Sequence, residues 1–384
     1  WLTPGLQSSY HTLASSHRSP NPMLNHTPLY DANVSLGGKM VPFAGWEMPL
    51  QFQGILAEVR SVRTSSGLFD VSHMGRIWVT GPHAAGLLDW VTTANVPALA
   101  INVARYTLIC TDEGGILDDG IIYRLDQEEY LLICNAANRD AVWGWLVQWR
   151  DARFAKAKLV DRTTEVAMIA FQGPETLGAM ERLSPGLAAR LRPFRSAQTQ
   201  VAGIPALVGR TGYTGEDGFE MMPAAGDASA LWRRLLDTGA TPCGLGSRDV
   251  LRLEAGLMLH GSDMDKNTNP FEAGLDRFVF LDKESVCSGP LRQVLQEGVR
   301  RKLAGFEMVE RGVPRHGYPI VRDGATVGQV TSGGYSPTLD RYIGLGYVSS
   351  ELATPGSSFA VDIRGKVVEA KAVAIPFYSR RRNQ

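Results

Sequence analysis

Alternating apolar and polar positions, punctuated by glycine pairs and helix-period stripes, divide this chain into recognisable elements. Residues 106–111, 116–123 and 130–135 are apolar-rich runs, and Gly114-Gly115 forms a tight turn between the first two, predicting a β-meander. Gly81-Pro82 predicts the start of a helix carrying Leu87, Leu88 and Val91, with proline in the favoured first turn. Val142, Leu146 and Trp149 recur at helical spacing within 138–153, a core-facing stripe. Further on, 166–172 reads as a buried strand and 174–183 as a helix. Strands at 198–201 and 206–210 flank a turn at Ala202-Gly203-Ile204-Pro205. Another strand covers 218–222, and a helix runs from Asp227 to a stop at Gly239. The succession strand, helix, several strands, helix, strand occurs twice. That predicts an α+β fold of two ferredoxin-like units, antiparallel sheets covered by helices on one face.

From about Arg301 the pattern changes to short strands. Asp323-Gly324 and Arg364-Gly365 are hairpin signals, while Ser332-Gly333-Gly334 and Pro355-Gly356 read as loop punctuation. The expectation is a small C-terminal all-β barrel of about 75 residues. At the other end, residues 1–22 lack periodicity and lack the apolar core of a secretory signal. They read as a tail, as an artefact preceding a natural start at Met23, or as a transit peptide. The expected boundaries are a disordered tail or artefact over 1–26, an α+β region over 27–285 and the barrel domain over 286–384.

Composition narrows the function classes. The chain has 384 residues, 44% of them hydrophobic and 20% charged, enough for two or three domains with a sizeable core. Lys+Arg and Asp+Glu both number 39, so there is no nucleic-acid footprint and no anionic-membrane binder in the overall charge. The four cysteines, Cys110, Cys134, Cys243 and Cys287, are scattered without C-x-x-C spacing, which predicts reduced interior residues and no zinc site. No apolar run reaches the length of a membrane span.

Several stretches offer chemistry. Asp118 and Asp119 stand where apolar residues are expected. Successive strand side chains point to opposite faces, so the two cannot share a proton as a dyad. A regular strand puts Asp119 on one face with Leu117, Ile121 and Tyr123. A carboxylate there costs several kcal/mol to bury unless hydrogen-bonded or used. A solvated turn and a working carboxylate both fit at this level. Asp70, Ser72 and His73 are too close along one extended segment to converge as a hydrolase triad, and no G-x-S-x-G elbow occurs; His73 reads as a hydrogen-bonded structural histidine. The glycine-rich connection 209–220 is neither a P-loop nor a dinucleotide fingerprint, but offers Tyr213 and a strand carboxylate, Glu220. Arg248 near a helix start suits anion recognition, with an ion pair to Asp249 as the plain alternative. Residues 263–272 begin like a calcium loop, but the pattern then fails, with Thr268 where glycine belongs and, beyond that stretch, Gly274 where the bidentate glutamate belongs. They read instead as an irregular loop held by side-chain-to-backbone bonds.

Taken in order, Pro42-Phe43-Ala44-Gly45-Trp46, Phe69-Asp70-Val71-Ser72-His73-Met74, 114–119, 210–220, 247–253 and 263–272 resemble the aminomethyltransferase, or T-protein, family of the glycine cleavage system. The resemblance covers nearly everything from Thr27 to Phe377. It implies a three-domain cloverleaf around a central folate channel, with the first two domains interleaved in sequence and the barrel at the C-terminus. It also implies transfer of a one-carbon unit from the aminomethyl-dihydrolipoyl H-protein to tetrahydrofolate, giving 5,10-methylenetetrahydrofolate and ammonia. Carried over by position, Asp119 is the catalytic carboxylate. Tyr106, Tyr123, Asn135, Tyr213, Glu220, Arg248 and, in the basic tail, Arg382 contact the folate. No metal is expected, and the lipoyl group comes from the carrier. The partners implied are lipoylated H-protein and tetrahydrofolate, with no nucleic acid and no membrane, for a monomer outside the carrier complex. The compartment implied is the bacterial cytoplasm, or an organelle matrix if the N-terminal segment is a transit peptide. Two alternatives share this fold: a folate-dependent demethylase and a non-catalytic folate-binding scaffold. Gly120 stands where the family carries a bulky apolar residue, Gly38 at an alanine-like position and His260 at an aromatic one. Gly120 is expected to loosen the strand that aims Asp119.

Overall fold

The computed structural model describes residues 23–380. A two-stranded ribbon, β1 (Met40–Phe43) and β2 (Trp46–Pro49), is followed by β3 (Gly67–Asp70) and β4 (Gly75–Thr80). The predicted meander is present as β5 (Val103–Cys110), β6 (Ile116–Asp126) and β7 (Glu129–Cys134). After the helix Arg139–Arg153 comes β8 (Lys158–Asp161). The next stretch holds β9 (Ile169–Gln172), β10 (Ser196–Val201), β11 (Ile204–Gly209), β12 (Gly218–Pro223) and β13 (Thr241–Cys243). The last six strands are β14 (Arg301–Met308), β15 (Pro319–Arg322), β16 (Ala325–Ser336), β17 (Arg341–Ser349), β18 (Ser358–Ile363) and β19 (Lys366–Val373).

Two sheets and a barrel result. The first sheet runs β5-β6-β7-β4-β8, and the second runs β10-β11-β12-β9-β3-β13 with only the β3–β13 pair parallel. Because β3 precedes the first sheet in the chain yet belongs to the second, the two α+β lobes interleave. The outer face of the first sheet buries Leu87, Leu88, Val142 and Leu146 from two helices against Ile77, Ile122 and Leu132. The outer face of the second buries Met180, Leu231 and Trp232 against Ile169, Phe171 and Phe219. The inner faces then meet each other through Trp78, Tyr123, Leu131 and Ile133 from one sheet and Phe69, Ala170 and Met222 from the other. Strands covered on both faces lose their alternation, which explains the unbroken Tyr130-Leu131-Leu132-Ile133-Cys134 run. Each such apolar side chain contributes about 1.5–3 kcal/mol on burial. The six last strands close on themselves as β14-β17-β16-β15-β18-β19 around Phe306, Ile320 and Val361.

Some expected boundaries shift. The helix carrying Leu87, Leu88 and Val91 begins at Ala84, so Pro82 lies in the preceding turn. The turn before β11 is only Ala202-Gly203, both at positive φ, and Ile204 and Pro205 already pair within the sheet. Ser332-Gly333-Gly334 lies inside β16, not in a loop: the β16–β17 register slips between Val330 and Ser332, bending the strand as barrel closure requires. The fold also starts earlier than Thr27. Asn25 bridges Trp46, and His26 Nε2 lies 3.0 Å from Glu47, which corrects the tail reading for those positions. Residues 1–22 and Arg382 lie outside the described residues.

All four cysteines are buried and free. Among the described residues no group of metal-ligating side chains is assembled, and no helix is long and apolar enough to cross a membrane.

Gly115 has a steric reason to be glycine. A Cβ there would lie 1.8 Å from the backbone oxygen of Lys266, in the loop beside the meander turn. Gly115→Ala is expected to destabilise the fold by about 1–3 kcal/mol, because backbone on both sides must move. A lower denaturant midpoint with an unchanged slope in equilibrium unfolding checks this.

Candidate active site

The two facing sheets diverge around a cavity of about 590 Å³. Its walls come from Asp119 on β6, Met168 before β9, Glu220 on β12, the 255–260 segment, and Ile375 and Pro376 after the barrel. Three lobes therefore contribute to one space.

Asp119 points into it from the middle of β6. Its Oδ2 accepts a hydrogen bond from the Tyr106 hydroxyl at 3.0 Å, and its Oδ1 accepts from Asn135 Nδ2 at 2.8 Å. Asp118 leaves the same strand toward the opposite side and is fully buried. It accepts from Asn135 N at 2.9 Å, Asn135 Nδ2 at 2.8 Å and Asn138 Nδ2 at 2.7 Å. The two carboxylates do not bond each other, yet both hold the Asn135 amide. Burial, then the charge of Asp118, pushes the Asp119 carboxyl above its ordinary range, against the Tyr106 and Asn135 hydrogen bonds that lower it. Burial and the Asp119 charge likewise push the Tyr106 phenol well above its usual range, so it is the hydrogen-bond donor of the pair.

Gly120, expected to loosen this strand, does the reverse. A Cβ at this position would sit 2.3 Å from the Ile133 carbonyl oxygen, so glycine permits tight β6–β7 contact beside Asp119. His260 supports the same corner. Its Nε2 donates to the Ile116 carbonyl at 3.0 Å, and its Nδ1 accepts from Asn138 Nδ2 at 2.8 Å. Asn138 itself was not singled out by the sequence; it follows the meander in a short turn, and only the folded meander brings it under Asp118.

The opposite wall carries the second acid. Glu220 is 4% exposed and accepts from Thr211 Oγ1 at 2.5 Å. Tyr123 does not face the cavity as expected of a ligand contact. It is fully buried between the sheets and its hydroxyl lies 2.8 Å from Thr211 Oγ1, so it orients Glu220 through Thr211. Arg248 lies over the Tyr213 ring, 4.7 Å from its centroid, with Nη1 buried and unpartnered. Its plain alternative fails: Asp249 pairs with Arg252 at 2.8 Å instead. Tyr213 donates to the Met258 carbonyl, fixing its ring along the cavity.

His73 also lines the cavity, which the sequence reading did not anticipate. It is 3% exposed, its ring centroid lies 5.5 Å from that of Phe43 in an edge-to-face arrangement, and among the described residues Nδ1 has no partner. The hydrogen-bonded structural histidine is thereby corrected. Burial, with the nearby charges of Arg248 and Arg76, lowers its pKa to about 3, so the imidazole is neutral.

The former calcium-like stretch is a joint. Asp263 is fully buried and pairs with Arg252 Nη1 at 2.6 Å while accepting from Thr331 Oγ1 at 2.6 Å on β16. Downstream, Asp265 and Asn269 accept from backbone N–H groups of Asn267, Phe271 and Glu272, as the loop reading expected. Arg63 makes a second joint, at 2.9 Å from Glu216 and 2.8 Å from Glu254, with Tyr378 over its guanidinium at 4.0 Å. Glu254 in turn accepts from Ser336 and Thr338 of the barrel.

Comparison with known proteins agrees with this architecture. The sequence family described as the GCVT N-terminal domain matches residues 29–283, and the glycine cleavage T-protein C-terminal barrel domain matches residues 301–379. An aminomethyltransferase of Symbiobacterium thermophilum is 44% identical over 368 residues, covering 93% of this chain and 98% of its own. One of Geobacillus kaustophilus is 45% identical over 365 residues, covering 93% and 100%. The crystal structure of glycine cleavage system aminomethyltransferase T from Bartonella henselae superposes with a TM-score of 0.88 at 33% identity, covering 93% of this chain and 99% of that one. Two family domains spanning both the interleaved lobes and the barrel, with matches along nearly the whole chain, place this protein in the glycine cleavage T-protein family of aminomethyltransferases.

Proposed function

We propose that this protein transfers a one-carbon unit from the aminomethyl group on the dihydrolipoyl arm of H-protein to tetrahydrofolate, releasing ammonia, with Asp119 as the working carboxylate. The observation that carries the reading is Asp119 held at the cavity wall by two donors. An ionised carboxylate offers about four acceptor positions, so room remains for a ligand.

The donor set on the far wall suits a reduced pterin. Its amino and ring N–H groups form a donor edge that a carboxylate such as Glu220 accepts in two parallel hydrogen bonds. Arg248 offers an unused N–H nearby, and Tyr213 and Tyr106 provide apolar faces for the ring system. Tetrahydrofolate supplies the two amine nitrogens that receive the carbon. Asp119, when ionised, opposes the positive charge that develops on the carbon as ammonia departs. It also takes the proton that a folate nitrogen gives up as the second bond to the carbon forms and the C–S bond to the lipoyl arm breaks. The departing thiolate is protonated in turn to the free dihydrolipoyl thiol. Tyr106 and Asn135 keep its carboxylate plane aimed, and the cavity walls align the two substrates.

Mixing purified protein with loaded carrier and tetrahydrofolate and measuring ammonia release tests the activity; no release with both substrates present removes the reading. Asp119→Asn is expected to lose about 10²–10⁴-fold in transfer rate while keeping folate affinity. Because the Asp119 pKa is raised, the wild-type rate is expected to fall on acidification above the ordinary carboxylate range, and this limb to vanish in the variant. The same shift fixes a stability sign. The folded state holds this proton more tightly than the unfolded one, so ionising Asp119 costs stability as pH rises past the unfolded value. Asp119→Asn is accordingly expected to melt no lower than wild type at pH 8, measured by thermal unfolding. Glu220→Gln keeps the shape but replaces one acceptor with a donor. A rise in the tetrahydrofolate dissociation constant of about tenfold or more is expected by calorimetry; equal affinity would refute the pterin-edge role.

A further inference from the structure

Buried polar nitrogens without a partner are expensive, so each in a native fold asks what satisfies it. Among the described residues ten side chains carry such atoms, but only His73 and Arg248 of these line the cavity. The two are neighbours: the Arg248 charge reaches the His73 ring and lowers its proton affinity. Arg248 and Glu220 also influence one another, and all three residues line the one cavity.

The three groups differ in what they present. Glu220, when ionised, only accepts, and Arg248 only donates. A neutral imidazole does one of each through its two nitrogens. The His73 ring is not free to turn away. The Phe43 ring packs edge-to-face with it at 5.5 Å between centroids, and the residue is 3% exposed in a cavity lined also by Val71, Met74 and Met168. Among the described residues no hydrogen bond explains its orientation, and an apolar residue of similar shape would fill the same space without the desolvation cost. The chemistry that repays an imidazole here is a polar heterocycle seated in the cavity.

We propose that His73 is a specificity-determining residue. Its unpartnered nitrogen hydrogen-bonds the polar ring edge of the bound pterin head, next to the edge that Glu220 takes. This rests on the folate reading above and adds a third recognition group to it. His73 acts on binding, and Asp119 carries the chemistry.

Two measurements test it. The first follows the His73 nitrogen resonances of isotope-labelled full-length protein by NMR as 6-methyltetrahydropterin, which has the head group and no tail, is added. A shift of the Nδ1 resonance on saturation is expected. Binding of the probe with both His73 nitrogens unmoved overturns the proposal. The second compares His73→Phe, which keeps the ring, with His73→Asn, which keeps a polar atom near the Nδ1 position. For 6-methyltetrahydropterin and for tetrahydrofolate, the dissociation constant is expected to rise about tenfold in the phenylalanine variant and to stay within about threefold of wild type in the asparagine variant. Equal affinities of wild type and His73→Phe, for protein with an unchanged melting temperature, overturn it. So does an effect seen with tetrahydrofolate but absent with the head-only probe. Failure of the wild type to bind either molecule overturns the folate reading itself, a result distinct from binding that ignores His73.

Discussion

The carboxylate that organises this site is the one that never reaches it. Asp118 sits in the core of the first lobe, and its charge is tolerated only because Asn135 and Asn138 give it backbone and amide N–H groups. That clamp fixes the end of β7 against the middle of β6 and turns the Asn135 amide toward Asp119. Replacing Asp118 with an apolar residue would free two asparagines and leave the second carboxylate without its aim. Two adjacent acids thus part company: one is held in the core of the lobe, and the other stands at the cavity wall.

Much of this was legible in the sequence where local rules apply. The Gly114-Gly115 turn, the three meander strands and the opposite facing of Asp118 and Asp119 follow from turn chemistry and the period of two. The Asp323-Gly324 and Arg364-Gly365 hairpins hold for the same reason, each residue at positive φ. Illegible features depend on closure over long sequence distances. Ser332-Gly333-Gly334 looks like a loop until a barrel must bend a strand there. Tyr123 looks like a ligand contact until the second sheet covers it. Asn138 and His260 meet across 122 residues, and nothing in either neighbourhood announces the other. His73 was misread because a histidine between serine and methionine carries no local sign that its hydrogen bonds go unmade.

The family resemblance carried the chemistry further than composition or periodicity. Asp119, Tyr106 and Asn135 form one hydrogen-bonded cluster, while Glu220, Arg248 and Tyr213 line another part of the same cavity. Physical reading contributed what position matching lacks. It explains why Gly120 tolerates no side chain against the Ile133 carbonyl, and why Arg248 keeps a free N–H once Arg252 has taken Asp249.

The knot at Arg63 sets how the molecule can move. Helix Ile55–Thr64 supplies the guanidinium, the glycine-rich connection and helix Leu245–Glu254 supply the acids, and the chain after the barrel returns to lay Tyr378 across it. With 5% or less of any of these three charged side chains exposed, withdrawing one lobe would strand an ion in a medium that cannot solvate it. The seam therefore opposes separation of the lobes. Opening the seam like a clamshell would unpair these buried charges, at a cost of about 3–5 kcal/mol for a broken pair.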